Sequence, residues 1–265
     1  MADSADSAGE DRSEILQKMA TAYEEQLARH PRRKPLLWER VEGSSRGPRP
    51  ALTHDQIARA AVAIADAEGL RAVSMRHLAE RLGVATMGLY RYVTGKDEIY
   101  ELMLDAVAAE IDLPDAGWRE VADAYARQTR ALSLRHRWMQ QAFTRVPASL
   151  SPANVALTEK ALTSVDGLGL DVDTMMAVFG VVSSFARGAV VAEVAQHESL
   201  ERHGWDSEDD VRLAYLPWVR WMLGTGRYPR LSRYIIDGSN EDDAEWQFEF
   251  GLKCVLDGIA ARLGI

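Results

Sequence analysis

The amino-acid sequence predicts an all-α protein with a small N-terminal helix-turn-helix domain and a larger helical body. Apolar residues recur with helical spacing along nearly the whole chain, and alternating β-branched runs typical of strands do not occur. The chain has 265 residues, 47% of them hydrophobic, which is enough to bury a sizeable core.

Residues 1–49 are predicted to form an N-terminal extension. Residues 1–11 are polar, which favours disorder, and residues 12–29 have the apolar stripe of a short amphipathic helix. Residues 31–50 hold four prolines, two glycines and five arginines. This composition is typical of an extended basic linker.

Residues 50–98 are predicted to form a compact three-helix unit. Thr53, with a glutamine three residues later, forms a capping box that begins the first helix, and Ser74 caps the second. Gly83 supplies the left-handed backbone of a tight turn, and a third short helix runs from about Thr86 to Tyr92. This spacing indicates a helix-turn-helix, which presents the exposed face of its last helix to the DNA major groove.

Residues 99–265 are predicted to form the helical body. After a helix that starts near Lys96, further helices are expected near residues 118–136, 138–145, 152–167, 172–200, 207–224, 230–236 and 242–263. The segment 172–200 is apolar on most sides, so it should be central or at a subunit interface. Cys254 lies in an apolar stretch and is expected to be buried.

Charge is distributed unevenly along the chain. The formal net charge is −9, and it lies wholly in residues 101–265, whereas the stretch from Arg29 to Lys96 is locally basic. A basic segment on an acidic body can bind phosphate while the protein stays soluble. The chain has a single cysteine, and its sequence shows neither a secretory signal nor an apolar run of membrane-spanning length. These observations favour a cytoplasmic protein without a membrane partner.

The three-helix unit resembles the TetR family of transcriptional regulators. The match covers residues 51–107 and includes the pair Leu89 and Tyr90, the further aromatic Tyr92, and the start of the fourth helix at Lys96. The rest of the chain looks like tetracycline-repressor-like C-terminal domains in its helix pattern. The resemblance implies a homodimer that binds a double-stranded DNA operator and a small-molecule effector.

By this resemblance, the candidate DNA-binding residues lie on or near the recognition helix. They are Ser74, Arg76, Thr86, Met87, Gly88, Tyr90, Arg91, Tyr92 and Lys96. Arg91 is the candidate for a base contact, because a guanidinium pairs bidentately with guanine, and Met87 can touch a thymine methyl. Tyr90, Tyr92 and Lys96 are expected to contact phosphates, which set the register. The alternative for a tyrosine on a short surface helix is ordinary packing.

Two arginines of the linker, Arg46 and Arg49, are further candidates for DNA contact. Such an arm can enter the minor groove, where arginine is favoured in narrow A·T tracts. A solvated linker with incidental charge is the alternative.

An effector pocket is implied within the body. Aromatic and methionine side chains line adaptable apolar cavities, and the candidates are Trp138, Phe143, Met175, Phe179, Trp218 and Met222. As a set they favour a large apolar or aromatic effector, although ordinary core packing explains any single one. Charged candidates for effector recognition are Arg187, Glu193 and His197.

The resemblance also implies a dimer interface formed by the two long helices near 172–200 and 242–263. The first offers a small-residue surface, at Gly180, Ser183, Ser184, Ala186 and Gly188. The second offers an apolar stripe, at Phe248, Leu252, Val255, Leu256 and Ile259. Burial in a monomer core is the alternative for both.

The sequence predicts no catalytic residue, cofactor or metal site. Its six histidines are scattered without metal-ligand spacing, and no phosphate-binding glycine loop or G-x-S-x-G motif occurs. The predicted function is a homodimeric repressor released from a palindromic operator by an apolar or aromatic effector. A DNA-binding regulator without a small-molecule effector and a helical ligand-binding protein or enzyme are the alternatives.

Overall fold

The computed structural model describes residues 3–28, 37–44, 52–146, 150–205, 207–240 and 243–265, and no strand occurs in those ranges. The all-α fold class is therefore confirmed. The helices are α1 Asp3–Ala28, α2 Leu37–Ser44, α3 His54–Glu68, α4 Met75–Leu82, α5 Thr86–Leu89, α6 Lys96–Ala108, α7 Trp118–Arg135, α8 Met139–Phe143, α9 Pro152–Val165, α10 Val172–His203, α11 Glu208–Gly224, α12 Pro229–Asp237 and α13 Ala244–Leu263.

The chain divides into two compact units, Met1–Arg49 and Pro50–Ile265. In the first unit α1 begins at Asp3, so the prediction of disorder over residues 1–11 is wrong for their described part. Acidic residues are stabilised near a helix N-terminus, and no proline interrupts α1. The prediction of an extended linker over residues 31–50 is wrong where α2 forms, because all four prolines of that stretch lie outside α2.

The main core of the second unit lies where α7, α9, α10 and α13 pack together. Its buried side chains include Val121, Tyr125, Leu157, Val182, Ala186, Phe248, Leu252 and Leu256. Gly251 lets α13 approach α10 closely, since a Cβ added there would lie 2.6 Å from the ring of Phe185. The central place predicted for α10 follows from this packing.

The apolar stripe that was predicted for the dimer interface lies in the core of its own chain. The buried or half-buried residues of this stripe are Phe248, Leu252, Val255, Leu256 and Ile259. Ser183 and Ala186 of α10 are buried too, so the small residues of α10 do not form one exposed surface. Cys254, in contrast, is predicted to be buried and is exposed in the structure. An amphipathic pattern identifies an apolar face but not what covers it.

Part of α10 has the length and composition of a membrane-spanning helix. The segment Val172–Leu200 meets both criteria, so the prediction that no apolar run approaches that length is wrong. One face of the segment is buried in the body through Val182, Ala186 and Val190. A core helix of a helical body has the same composition, and the packing of α10 accounts for it.

Three arginines of α7 bind three carboxylates of α13 in antiparallel order. The ion pairs are Arg119 with Asp257, Arg127 with Glu249, and Arg130 with Glu245. In the middle pair, Nη2 of Arg127 donates to Oε2 of Glu249 over 2.9 Å. This contact lowers the pKa of Glu249, and the carboxylates of Glu249 and Asp123 raise the pKa of Arg127. These three ion pairs fix the register of α13 on α7.

We expect Glu249→Gln to lower the melting temperature at pH 7, by progressively less as the pH falls toward 3. A carboxyl whose pKa is lowered on folding stabilises the folded protein fully at pH values above its ordinary pKa of 4.5. This contribution is lost as the pH falls through the lower pKa of the folded state. Because the pair is partly exposed, the effect at neutral pH is about 1 kcal/mol or less. Thermal unfolding followed by circular dichroism measures the melting temperature. The control is Asp209→Asn, which removes a carboxylate from an exposed ion pair within α11. A melting-temperature difference that stays constant across this pH range would contradict the assignment.

Candidate DNA interface and effector cavity

The turn between α4 and α5 is fixed by its backbone and by two buried leucines. Gly83 ends α4 in the left-handed conformation, with φ 68° and ψ 28°, which glycine adopts without strain. The N–H of Val84 donates to the carbonyl of Ala79 over 3.0 Å. Leu78 and Leu89 are fully buried, so α5 is held against α4 in a helix-turn-helix arrangement.

The two predicted caps are present at the starts of α3 and α4. Thr53 accepts the N–H of Gln56 through its hydroxyl over 3.1 Å and donates its own N–H to Oε1 of Gln56 over 2.9 Å. The hydroxyl of Ser74 accepts the N–H of His77 over 3.2 Å. Ser74 therefore orients α4 as its N-cap, and its DNA contact stays a prediction.

The recognition helix ends three residues earlier than predicted, at Leu89. The next three residues form a turn in which the N–H of Tyr92 donates to the carbonyl of Leu89 over 2.9 Å. Ala85 offers no side-chain cap, and Gly88 disfavours a helix by roughly 1 kcal/mol relative to alanine. Arg91 consequently lies on the turn that follows α5 rather than on the helix itself.

Five of the predicted DNA contacts have exposed side chains. They are Arg76, Met87, Tyr90, Arg91 and Lys96, and Met87 is 77% exposed. Thr86 and Gly88 are half-buried. An exposed methionine and tyrosine beside an arginine and a lysine form a surface that can contact both base edges and phosphates.

Arg76 and Tyr92, two of the predicted contacts, have partners within the protein. Nε of Arg76 donates to Oε1 of Glu80 over 3.0 Å. The ring of Tyr92 meets that of His54 edge to face with centroids 5.8 Å apart, and Nε2 of His54 lies 3.2 Å from the carbonyl oxygen of Tyr92. Tyr92 thus connects the recognition turn to the start of α3. Arg46 and Arg49 lie outside the described residues.

The helical body contains a cavity of about 780 Å³ between α7, α8, α9 and α10. Tyr125, Phe143 and Phe179 contribute aromatic walls, and Tyr125 meets Phe179 edge to face with centroids 5.2 Å apart. Small-molecule sites usually have volumes of roughly 300–1,000 Å³. A void of about 20 Å³, lined by Met175 among others, shares Phe179 with this cavity. The structure thus brings together three of the six predicted pocket residues.

The other three predicted pocket residues do not line either cavity. Trp138 is buried, and its Nε1 donates to Oδ1 of Asp66 over 2.7 Å. Trp218 is exposed beside Trp221, and Met222 is fully buried elsewhere in the body. Large apolar side chains with helical spacing do not reveal which of them border a cavity, since that depends on how the helices pack.

Polar groups of the cavity wall were mostly missed by sequence reasoning. Asn154 and Thr158 on α9 and Ser183 on α10 line the cavity, together with Arg187. Of the three charged candidates, only Arg187 lies there; Glu193 pairs instead with an arginine of α7. The available signal was a serine and an arginine one turn apart in the mostly apolar stretch 175–192 of α10.

A partly buried hydrogen-bond network joins α3 to the segment between α7 and α8. Oδ1 of Asp66, on α3, accepts both the indole N–H of Trp138 and, over 2.8 Å, Nδ1–H of His136. Nε of Arg135 donates to Nε2 of His136 over 2.9 Å. Arg135 also pairs with Glu110, just beyond α6. The three-helix unit is therefore bound to the body by polar contacts, two of which are made by the buried rings of His136 and Trp138.

A capped helix-turn-helix with an exposed recognition turn, joined to a helical body that holds a cavity, defines a DNA-binding transcriptional regulator. Residues 57–103 match the model for bacterial regulatory proteins of the tetR family. Residues 112–263 match the model for the tetracyclin repressor-like C-terminal domain. The chain belongs to the TetR family of transcriptional regulators.

Relatives from Streptomyces resemble the chain over most of its length. The HTH-type transcriptional repressor DrrR1 of Streptomyces coeruleorubidus is 40% identical over 228 residues, which span 84% of this chain and 83% of that protein. ActR of Streptomyces coelicolor, solved in complex with actinorhodin, has a TM-score of 0.67 at 25% identity and covers 80% of this chain and 97% of its own. ActR in complex with (S)-DNPA has a TM-score of 0.64 at 23% identity, and the match covers 81% of this chain and 100% of that chain. This second match shows a similar fold.

Proposed function

We propose that the protein is a homodimeric repressor that binds a palindromic operator and is released from it by a small aromatic effector. The cavity of about 780 Å³ in the same chain as the helix-turn-helix carries this proposal. Residues 50–98 would read DNA, and residues 99–265 would bind effector and partner subunit. The relative DrrR1 is a repressor, and the proposed role needs neither catalysis nor a cofactor. Its proposed place is the cytoplasm.

Helix α8 is proposed to couple the cavity to the DNA-binding unit. Phe143, at its C-terminal end, lines the cavity, and Trp138, directly before its first residue, holds Asp66 of α3. A ligand that displaces Phe143 would shift α8 and, through Asp66, the orientation of α3. Effector binding would then favour a conformation in which the two recognition turns of a dimer no longer fit successive major grooves.

The dimer is proposed to form through the faces of α10 and α13 that their own chain leaves uncovered. On α10, Val181 and Val191 are about half exposed, with Gly188 between them. On α13, Trp246 and Phe250 are exposed, with their rings stacked at a centroid distance of 5.3 Å. Exposed apolar residues on adjacent helices favour a self-complementary interface, and two-fold symmetry matches a palindromic operator.

The N-terminal linker is proposed to add a minor-groove contact through Arg46 and Arg49. Each lost phosphate contact lowers the slope of affinity against salt by about 1. Unchanged affinity and slope after replacing both arginines by alanine would leave the arm without a role in DNA binding.

Operator release tests the proposed function directly. Fluorescence anisotropy measures binding of the full-length protein to labelled DNA from upstream of its own and neighbouring genes, and light scattering gives the mass of the bound species. Actinorhodin and (S)-DNPA, the ligands of ActR, are then titrated in, with a wider panel of polycyclic aromatics. We expect tight dimeric binding, reversed by at least one ligand. Ligands that bind the protein but never release DNA would favour a regulator without an effector.

A further inference from the structure

We propose that the cavity selects aromatic ligands that carry an anionic oxygen group, and that Ser183 and Arg187 hold this group. The inference rests on the proposed effector function and names the chemistry of the effector. Both residues line the cavity and lie one turn apart on α10. Residues four apart on a helix share a face, so their donors can converge on one acceptor group.

Ser183 provides a buried donor that the protein leaves unused. The residue lines the cavity and is only 4% exposed, and its enclosed Oγ has no hydrogen-bond partner among the described residues. Buried hydroxyls in native proteins are normally paired, often with a carbonyl one turn earlier in a helix. Rotation about χ1 of Ser183 would turn this hydroxyl toward an oxygen atom of a ligand in the cavity.

Arg187 provides the charge. Its guanidinium carbon lies 5.9 Å from the ring centroid of Phe143, and no carboxylate forms an ion pair with it in the described part of the chain. The arginines that hold α7 in place behave differently, since Arg119, Arg127 and Arg130 each bind a carboxylate. An arginine without a carboxylate partner, on the wall of a cavity in an acidic body, is suited to an anionic ligand.

The remaining walls fit the aromatic part of the ligand. Tyr125, Phe143 and Phe179 present rings to the cavity, and aromatic pairs prefer the edge-to-face and offset contacts that Tyr125 and Phe179 already show. Glu159 is the one opposing observation, because its exposed carboxylate also lines the cavity and would suit a cationic ligand. Two donors one turn apart on α10, one of them buried and unpaired, favour the anion.

Three matched probes separate these ligand classes in the full-length dimer. They are anthraquinone-2-carboxylate, its neutral methyl ester and the cationic 2-(aminomethyl)anthraquinone, with affinities measured by calorimetry. We expect the carboxylate to bind about 10-fold more tightly than the ester, the gain typical of one charge-assisted contact. Arg187→Gln should abolish this difference while leaving the affinity for the ester within about 2-fold. Ser183→Ala should reduce the difference without lowering the melting temperature, because it removes an unpaired buried hydroxyl.

Glu159→Gln is the control, and we expect it to leave the preference for the carboxylate in place. Tightest binding of the amine, lost in Glu159→Gln, would overturn the inference, as would an equal loss of acid and ester in Arg187→Gln. Binding of all three probes without charge preference would overturn this inference alone. If none of the probes or panel compounds bound while DNA binding was intact, the proposed effector function would fail with it.

Discussion

Arg91→Ala is expected to weaken binding to the operator by about 10- to 100-fold and to relax base preference at one position of each half-site. A bidentate arginine–guanine contact contributes roughly 1–3 kcal/mol of discrimination. Arg91 is exposed on the turn after α5, next to the exposed side chains of Met87 and Tyr90. Affinities for the operator and for a set of single-base variants measure both effects at fixed salt.

Lys96→Ala is the matched control for Arg91→Ala. Lys96 starts α6, and its ammonium lies 5.7 Å from the ring centroid of Tyr100, which orients it without burying it. We expect this variant to weaken binding to all sequences alike and to reduce the salt slope by about 1, as for a phosphate contact. A uniform loss of affinity in both variants would contradict the separation of base reading from positioning.

Trp138→Phe is expected to uncouple effector binding from DNA release. Phenylalanine keeps most of the buried ring but removes the N–H that binds Asp66. We expect the affinity for effector in the free protein to change little and the concentration needed for half-release to rise about 10-fold, within the usual coupling range of 1–3 kcal/mol. The measurements are calorimetry and anisotropy, with the probe that releases DNA best from the unmodified protein.

Two variants control for indirect effects of the Trp138 substitution. Trp218→Phe changes an exposed tryptophan and should leave both measurements unchanged. Asp66→Asn keeps the shape of the acceptor but weakens both of its bonds, so it should reproduce the uncoupling. If Trp138→Phe and Asp66→Asn shifted effector affinity and release to the same extent, the network would only stabilise the fold.

Local signals in the sequence predicted the elements well, whereas packing decided the sites. The capping box at Thr53, the cap at Ser74 and the left-handed Gly83 each depend on a few neighbouring residues, so sequence reasoning found them. The apolar ring of Trp138 is visible in the sequence, and it favours a place in the pocket. The bond of its indole N–H to Asp66, 72 residues away, is not visible in the sequence. The same limit applies to Ser183, whose lack of a partner is a property of the packed structure.

The shortness of α8 has an evolutionary consequence. Phe143 and the indole of Trp138 lie at opposite ends of a segment of six residues, roughly 9 Å at the helical rise of 1.5 Å per residue. The residue that contacts the cavity and the residue that binds α3 thus belong to one short, rigid segment. Most of the cavity wall, in contrast, belongs to α9 and α10. Substitutions in that wall can change which compound is sensed without altering the short segment or the DNA-reading surface. Such modularity lets new ligand preferences arise while the set of controlled genes stays the same.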